Sequence, residues 1–348
     1  MLNIGLIGTG GIARMHVEAF QKIRSVRIVA ACDVDAGRVE AFCKKYNIPH
    51  AYTDTQTFLK HPGMVAISNI TPDPFHAPIS LQAIQQGLHV LCEKPLAENA
   101  TDARKMTRAA QRKGVINMVQ FTYRNSGALE QAARLIARGR LGRITHFESR
   151  YYQSWLSAKY WGDWKNNEGW LWRLSTKHGS NGVLGDLGVH IVDFTTYPIG
   201  SPVKTVNCQL KTFTDIKGKK RKGYTLDAND TAILRCELAN GAIGTIQTTR
   251  WATGYMNSLH LEIFGEKGGI RIDYDKDPHA YEICAGKDRH KAIWKTVKCQ
   301  PALTNFKRFI KSIRSKTNLQ PDFARGTEIQ QTLDASFRSH QTGKTVKI

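Results

Sequence analysis

The sequence predicts two domains: a doubly wound parallel α/β domain over residues 1–122, then an α+β domain over 123–348 with a large open, mostly antiparallel sheet. Two observations carry this reading. Strand-like and helical segments alternate as far as Phe121, and beyond Arg124 the alternation gives way to consecutive strand-like segments joined by short turns. At 348 residues the chain is long enough to bury two cores.

Leu2 to Gly8 reads as a short apolar strand, and helical periodicity begins at Ala13. Between them lies Gly8-Thr9-Gly10-Gly11-Ile12-Ala13, a GxGxxA turn in the strand-to-helix position where it has a physical use. Gly8 permits the tight turn, Gly10 lets the backbone approach a pyrophosphate, and the small Ala13 packs the helix on the sheet. The first domain is therefore expected to be a Rossmann domain. A second strand, Val26 to Cys32, delivers Asp33 23 residues after Gly10, where a carboxylate accepts from the adenosine ribose hydroxyls and repels a 2′-phosphate. NAD is expected over NADP, with Arg38 in the next helix read as a surface arginine.

The apolar run Met64 to Ile70 leads to Thr71-Pro72 and a helix from His76 to Gln86. A strand from Gly87 to Leu91 precedes Cys92-Glu93-Lys94-Pro95, and a helix from Asn99 to Lys113 and a strand from Val115 to Phe121 complete the alternation. Ligands of such sheets collect at the carboxyl ends of the strands. The candidate cofactor-binding residues are accordingly Gly8, Gly10, Gly11, Ile12, Ala13, Asp33, Thr71, Pro72, His76, Glu93, Lys94 and Gln120.

In the second half a helix from Gly127 to Ala137 leads to a strand over Arg143 to Tyr152. Strands are expected at Val203 to Phe213, Thr231 to Leu238, Ala242 to Arg250, Ser258 to Phe264, Ile270 to Tyr274 and Tyr281 to Ala285, with hairpin turns at Asn240-Gly241 and Lys267-Gly268-Gly269. Helices near Ala302 to Ser315 and Gly326 to Ser339 close the chain. A dense insertion holds Trp155, Tyr160, Trp161, Trp164, Trp170 and Trp172, suited either to packing or to stacking on a sugar face. Trp172, Arg173 and Arg124 are the candidate substrate contacts.

The apolar helix through Val183 to Val192 carries two polar exceptions, Asp186 and His190, one turn apart on one face. A carboxylate beside an imidazole suits acid-base chemistry, because histidine titrates nearest neutrality. A core pair satisfying each other is the competing reading.

Composition bounds the function. Seven cysteines without a CxxC and twelve histidines without an HExxH ask for neither a disulfide framework nor a metal. No apolar run approaches a membrane span and the N-terminus lacks a basic leader, so a cytoplasmic protein is expected. The net charge is +21, with 14 Lys and Arg against 9 Asp and Glu in residues 1–122 and 36 against 20 beyond. The dense run Lys217 to Gly223 reads as a solvated hairpin tip, and no specific nucleic-acid partner is expected.

With EKP at Glu93-Lys94-Pro95, the Tyr123-Arg124 element and GVLGDLGVH at 182–190, the chain resembles the Gfo/Idh/MocA family of NAD(P)-dependent oxidoreductases, the sugar and cyclitol dehydrogenases and their relatives. The resemblance spans nearly the whole length. It implies a catalytic set of Lys94, Asp186 and His190, a cis Lys94-Pro95 peptide, a carbohydrate-like small-molecule substrate and a homodimer or homotetramer formed through the C-terminal sheet. His190 would move the hydroxyl proton, Lys94 would polarise the oxygen and Asp186 would position the hydroxyl or the imidazole. An NAD-retaining glycoside hydrolase or lyase, working by transient oxidation and elimination, stays open as the alternative.

Overall fold

A computed structural model of the chain describes residues 1–214 and 220–348. In chain order the first elements are β1 (Leu2–Ile7), α1 (Ala13–Gln21), β2 (Val26–Cys32), α2 (Ala36–Tyr46), β3 (His50–Tyr52), α3 (Thr55–Leu59), β4 (Ala66–Asn69), α4 (His76–Gln85), β5 (His89–Cys92), α5 (Ala100–Lys113) and β6 (Asn117–Val119). The strands form one six-stranded sheet in the order β3-β2-β1-β4-β5-β6, every pair parallel. Strand order reverses between β1 and β4, so the loops after these two strands flank the switch point at which doubly wound sheets hold ligands. The short β3 and α3 carry too few residues for a periodic signal, and the sequence reading does not contain them.

The remaining elements are α6 (Gly127–Ala137), β7 (Ile144–Gln153), α7 (Glu168–Leu171), α8 (Val189–Ile199), β8 (Val203–Lys211), β9 (Lys220–Arg221), β10 (Tyr224–Thr225), β11 (Thr231–Leu238), β12 (Ile243–Thr249), β13 (Asn257–Gly265), β14 (Gly268–Asp273), β15 (Ala280–Ala285), β16 (Lys295–Lys298), α9 (Asn305–Ser315), α10 (Phe323–Thr342) and β17 (Val346–Lys347). Nine of these strands make a mixed sheet in the order β16-β15-β14-β13-β7-β12-β11-β8-β17. The β12–β7 pair is parallel and the other pairs are antiparallel, as expected for an open, mostly antiparallel sheet. Both expected hairpins form, β11–β12 across Asn240-Gly241, with Gly241 at φ +85°, and β13–β14. Burial alternates along β7, β8, β11 and β12, and α8 covers the inner face of β7, β12 and β13.

Two compact units result, and their boundary differs from the expected division into 1–122 and 123–348. The first comprises Met1–Thr122 together with Leu303–Gln330, the second Tyr123–Ala302 together with Gln331–Ile348. Uncovered apolar surface and an open sheet edge explain the return of the chain. Phe306, Phe309 and Ile310 on α9 complete the cluster that contains Ile4, Leu6, Phe20 and Ile28. The edge strand β6 is closed by bonds from Asn117 N–H to Asn318 Oδ1 (3.0 Å), from Val119 N–H to the Pro321 carbonyl (2.9 Å) and from Phe323 N–H to Asn117 Oδ1 (2.7 Å). Left bare, that row of amides would be a template for another strand.

Because Phe309 is fully buried in this cluster, Phe309→Ala is expected to lower unfolding stability by about 3–5 kcal/mol in urea denaturation. A chain ended at Thr122 is expected to lack a cooperative thermal transition. Cooperative melting of that fragment would show that α9 is dispensable to the first core.

Candidate active site

In the first unit, the loop after β1 holds Gly8 at φ +91°, and a Cβ there would lie 2.7 Å from the Ile70 backbone, so only glycine passes beneath the end of β4. Gly10 and Gly11 face open space and are exposed, as is Ile12. Helix α1 then begins with no side-chain cap and no acid in its first turn. Its leading amides are thus the donors that an anion at a helix N-terminus takes. Ala13 is fully buried against the sheet.

Asp33, at the end of β2, is held from several sides. Thr9 donates both its N–H and its hydroxyl to Oδ2 at 2.8 Å, while Asp35 N–H (3.1 Å) and Arg38 Nη1 (3.3 Å) donate to Oδ1. Burial opposes the charge, but the Thr9 bonds, the Asp35 amide and the Arg38 cation keep the carboxyl below its ordinary range. Arg38 also bonds Asp35 at 3.1 Å, so it is part of this acidic corner and not an isolated surface arginine.

At the ends of β4 and β5 two histidines lock the loops. His76 Nδ1 lies 2.6 Å from the Pro95 carbonyl and Nε2 lies 2.7 Å from the Thr71 carbonyl. Carbonyl oxygens only accept, so both ring nitrogens must carry hydrogen. Burial alone would lower this pKa, yet Cys92, the Asp73 carboxylate and the Pro95 carbonyl raise it to about 10. His16 on α1, fully buried, places Nε2 2.8 Å from Glu93 Oε1 and Nδ1 2.8 Å from Ser68 Oγ. Burial disfavours the Glu93 charge, but the His16 bond and Lys94 hold its carboxyl below the usual range. Both His76 and Glu93, expected among the cofactor residues, are buried and bonded to the Thr71-Pro72 and Lys94-Pro95 loops and to His16. The Lys94-Pro95 peptide is cis.

Gln120, just past β6, supplies an independent sign of a ligand. It is fully buried, and neither its Oε1 nor its Nε2 has a hydrogen-bond partner among the described residues. Leaving an amide so costs free energy that a bound polar group removes. Uncapped helix amides, an anchored strand-end acid and an unsatisfied buried amide together suit a dinucleotide.

In the second unit the two polar helix residues do not sit on one regular α-helix. A π turn over Leu184–Gly188 interrupts the helix that continues as α8, and Asp186 lies within it. The turn is entered through Gly182, whose φ of +65° and closeness to Asn229 (2.4 Å from a built Cβ) exclude other residues. Asp186 Oδ2 accepts from Arg250 Nη2 at 2.9 Å. His190 is buried at 8% exposure, edge-on to the Tyr123 ring at 4.9 Å and the Tyr151 ring at 6.4 Å between centroids.

The phenols extend into a network. Tyr123 and Tyr151 hydroxyls are 2.6 Å apart, Tyr151 donates to Asn257 Oδ1 (2.7 Å), Asn257 Nδ2 donates to the Tyr123 hydroxyl (3.0 Å), and Gln153 Nε2 reaches both Tyr151 (3.2 Å) and Asn257 (2.8 Å). Burial, with Tyr123 and Asp186 nearby, raises the Tyr151 pKa well above its ordinary value, so the phenol stays protonated. His16, Tyr151, Asn257 and Arg250 are absent from the sequence reading, because their partners lie far away along the chain.

Arg124, expected as a substrate contact, lies in a buried ion pair. It is 1% exposed, donates from Nε (2.7 Å) and Nη2 (2.9 Å) to the Asp193 carboxylate, and stacks over Tyr197 at 3.4 Å. Most of the tryptophan insertion is core as well. Trp155, Leu156, Trp164, Leu171, Leu174 and Leu226 form a cluster of their own, with Trp161 and Trp170 packed against it. Trp172 stays exposed, with the Arg173 guanidinium 4.5 Å from its ring. Of the basic run, Lys217, Gly218 and Lys219 lie outside the described residues. In the described part β9 and β10 pair as a hairpin whose Lys222 and Gly223 are exposed, while Arg221 Nε donates to the Lys165 carbonyl and Lys222 Nζ to the Asn166 carbonyl.

Arg124→Met leaves the buried Asp193 without its cation and is expected to cost about 3–5 kcal/mol in denaturant melts. Arg124→Met with Asp193→Leu is expected to regain most of that loss. Destabilisation under about 1 kcal/mol by the single change would contradict a structural pair.

Residues 2–121 match the oxidoreductase family with an NAD-binding Rossmann fold, GFO_IDH_MocA, and residues 129–271 match the GFO/IDH/MocA C-terminal domain. Levoglucosan dehydrogenase from Pseudarthrobacter phenanthrenivorans is 27% identical over 325 residues, covering 86% of this chain and 81% of that protein. D-glucoside 3-dehydrogenase from Escherichia coli is 26% identical over 357 residues, covering 100% of this chain and 97% of that protein. A solved levoglucosan dehydrogenase in complex with NADH and levoglucosan superposes with a TM-score of 0.90 at 25% identity, covering 100% of this chain and 99% of that one. The chain belongs to the Gfo/Idh/MocA family and is an NAD-binding oxidoreductase related to the sugar dehydrogenases.

Proposed function

We propose that this protein is an NAD-dependent dehydrogenase that moves a hydride between nicotinamide and a secondary hydroxyl or ketone of a sugar, glycoside or cyclitol. The observation that carries the reading is the setting of His190: a buried imidazole, edge-on to two phenols, on the same helix as an ion-paired carboxylate. Relatives that act on levoglucosan and on D-glucosides support the substrate class.

When bound, NAD supplies the nicotinamide carbon that takes up the hydride. Its pyrophosphate would be held by Gly8, Gly10, Gly11, Ile12 and the α1 amides, its adenosine ribose by Asp33, and its nicotinamide half by Gln120 and the Thr71-Pro72 loop. His190 takes the hydroxyl proton in oxidation and returns it in reduction, a task that needs a base titrating near neutrality. Lys94 stabilises the negative charge that develops on the oxygen, as a compact cation does in a site removed from water. Asp186, bonded to Arg250, accepts from a second substrate hydroxyl, and Trp172 offers a flat apolar face to the ring.

A panel of sugars, glycosides, cyclitols and sugar acids incubated with NAD tests the reading. Stoichiometric NADH formation supports it, whereas aglycone release without net NADH overturns it in favour of hydrolysis or elimination. In the active panel member, His190→Ala is expected to lower turnover by about two to four orders of magnitude while NAD affinity stays within a few-fold. Turnover near wild type would remove His190 from the chemistry. Asp33→Ser releases Arg38 toward a 2′-phosphate and is expected to move the NADP to NAD preference by about tenfold, or about 1.4 kcal/mol. An unchanged ratio in paired binding titrations would refute Asp33 as the discriminating acid.

A further inference from the structure

Arg250 lies one residue beyond β12 and its side chain is wholly buried. The guanidinium works in two directions, donating from Nη2 to Asp186 Oδ2 at 2.9 Å and from Nη1 to the Arg173 backbone carbonyl at 3.0 Å. Trp155 covers it, with the ring centroid 5.1 Å from Cζ. Its own backbone is fixed, since Arg250 N–H donates to the Asp230 carbonyl at 3.0 Å and its carbonyl accepts from Leu156 N–H at 3.2 Å. The Arg173 carbonyl takes a second bond from Ser180 Oγ at 2.6 Å. One buried cation therefore joins the carboxylate of the π turn to the part of the aromatic insertion that bears Trp172 and Arg173.

A comparison within the same unit separates this pair from a purely structural one. In the Arg124–Asp193 pair the side chains are 1% and 3% exposed, so both charges are hidden. In the Arg250–Asp186 pair the cation is 0% exposed while the carboxylate keeps 32% of its side chain open. The arginine is spent inward so that the anion can be presented outward. A lysine could neutralise Asp186, but its single ammonium cannot reproduce a planar fork aimed at two acceptors.

Building on the dehydrogenase reading, we infer that Arg250 is a positioning residue for substrate selection. It holds Asp186 as an anion in a fixed orientation and sets the Trp172-Arg173 segment against that carboxylate. A polyhydroxylated ring is then read jointly, with a hydroxyl donated to Asp186 and a ring face laid on Trp172.

The test uses the full chain with Arg250→Lys, Arg250→Met and Asp186→Asn, NAD as cofactor, and levoglucosan, methyl glucoside and myo-inositol as probes. In Arg250→Lys, which keeps the charge and loses the fork, KM for the best probe is expected to rise about tenfold or more with kcat within a few-fold and the acid limb of kcat/KM unmoved. In Arg250→Met the acid limb is expected to move up by about one pH unit or more, because the carboxylate loses its cation. In both variants amide exchange across residues 173–180 is expected to speed by about tenfold or more. Wild-type exchange in that segment overturns the coupling whether or not a probe is turned over, and a lowered Tm with unmoved KM and pH limb reduces Arg250 to a structural role. If Arg250→Met fails to fold, Arg250→Lys decides alone. Wild-type turnover in Asp186→Asn would instead sink the dehydrogenase site, and the exchange result would still stand.

Discussion

Two buried arginines govern the helix that bears His190. Asp186, His190 and Asp193 follow one another at i, i+4 and i+7, and each carboxylate is claimed by a guanidinium from another element, Asp186 by Arg250 and Asp193 by Arg124. Neither arginine tolerates burial without its acid, so the two pairs pin the helix on either side of the histidine. His190 is left between two neutralised carboxylates with aromatic rings for neighbours. Asp186 thus has a buried cation from another element as a partner, which the i,i+4 spacing alone does not reveal.

The π turn has the same origin. An α-helical path through Leu184–Gly188 sets side chains 100° apart, and widening the turn changes the direction in which Asp186 leaves the axis. Gly182 and Gly185 make the distortion sterically feasible, since a Cβ on either would meet Asn229 or Asn181 at 2.4 Å. The glycines around DLGVH therefore serve a backbone that must bulge, and the bulge serves the carboxylate.

What could be read from the chain and what could not divide along sequence distance. Gly8 to Ala13 and Asp33 were legible because a turn, a strand end and a helix start are local events, and the parallel, doubly wound class of the sheet followed from alternation. His16 was invisible because its partner Glu93 lies 77 residues away, and Arg250 because Asp186 lies 64 away. Helix α9 looked like a closing helix of the second domain, since amphipathicity tells which face is buried and not against what. The central position of β7, between β12 and β13, is likewise a matter of pairing that no pattern within β7 records. Arg124 was legible as a residue beside a motif, and its burial beside Asp193, 69 residues on, was not.

The aromatic insertion follows from this division. Four of its tryptophans pack into a core of their own with Leu156, Leu171, Leu174 and Leu226, so its shape is set internally. Its polar ties to the rest of the second unit include Arg250 on the Arg173 carbonyl, Leu156 N–H on the Arg250 carbonyl (3.2 Å), Ala228 N–H on the Leu174 carbonyl (3.0 Å), Asp227 accepting from Thr176 N–H (2.8 Å) and hydroxyl (2.7 Å), and the basic hairpin on the carbonyls of Lys165 and Asn166. A segment with its own core can change its outer residues without disturbing that core. Of those attachments, the Arg250 bond is the one whose other arm ends on Asp186. The guanidinium of Arg250 therefore ties the backbone of the insertion to the carboxylate of the π turn.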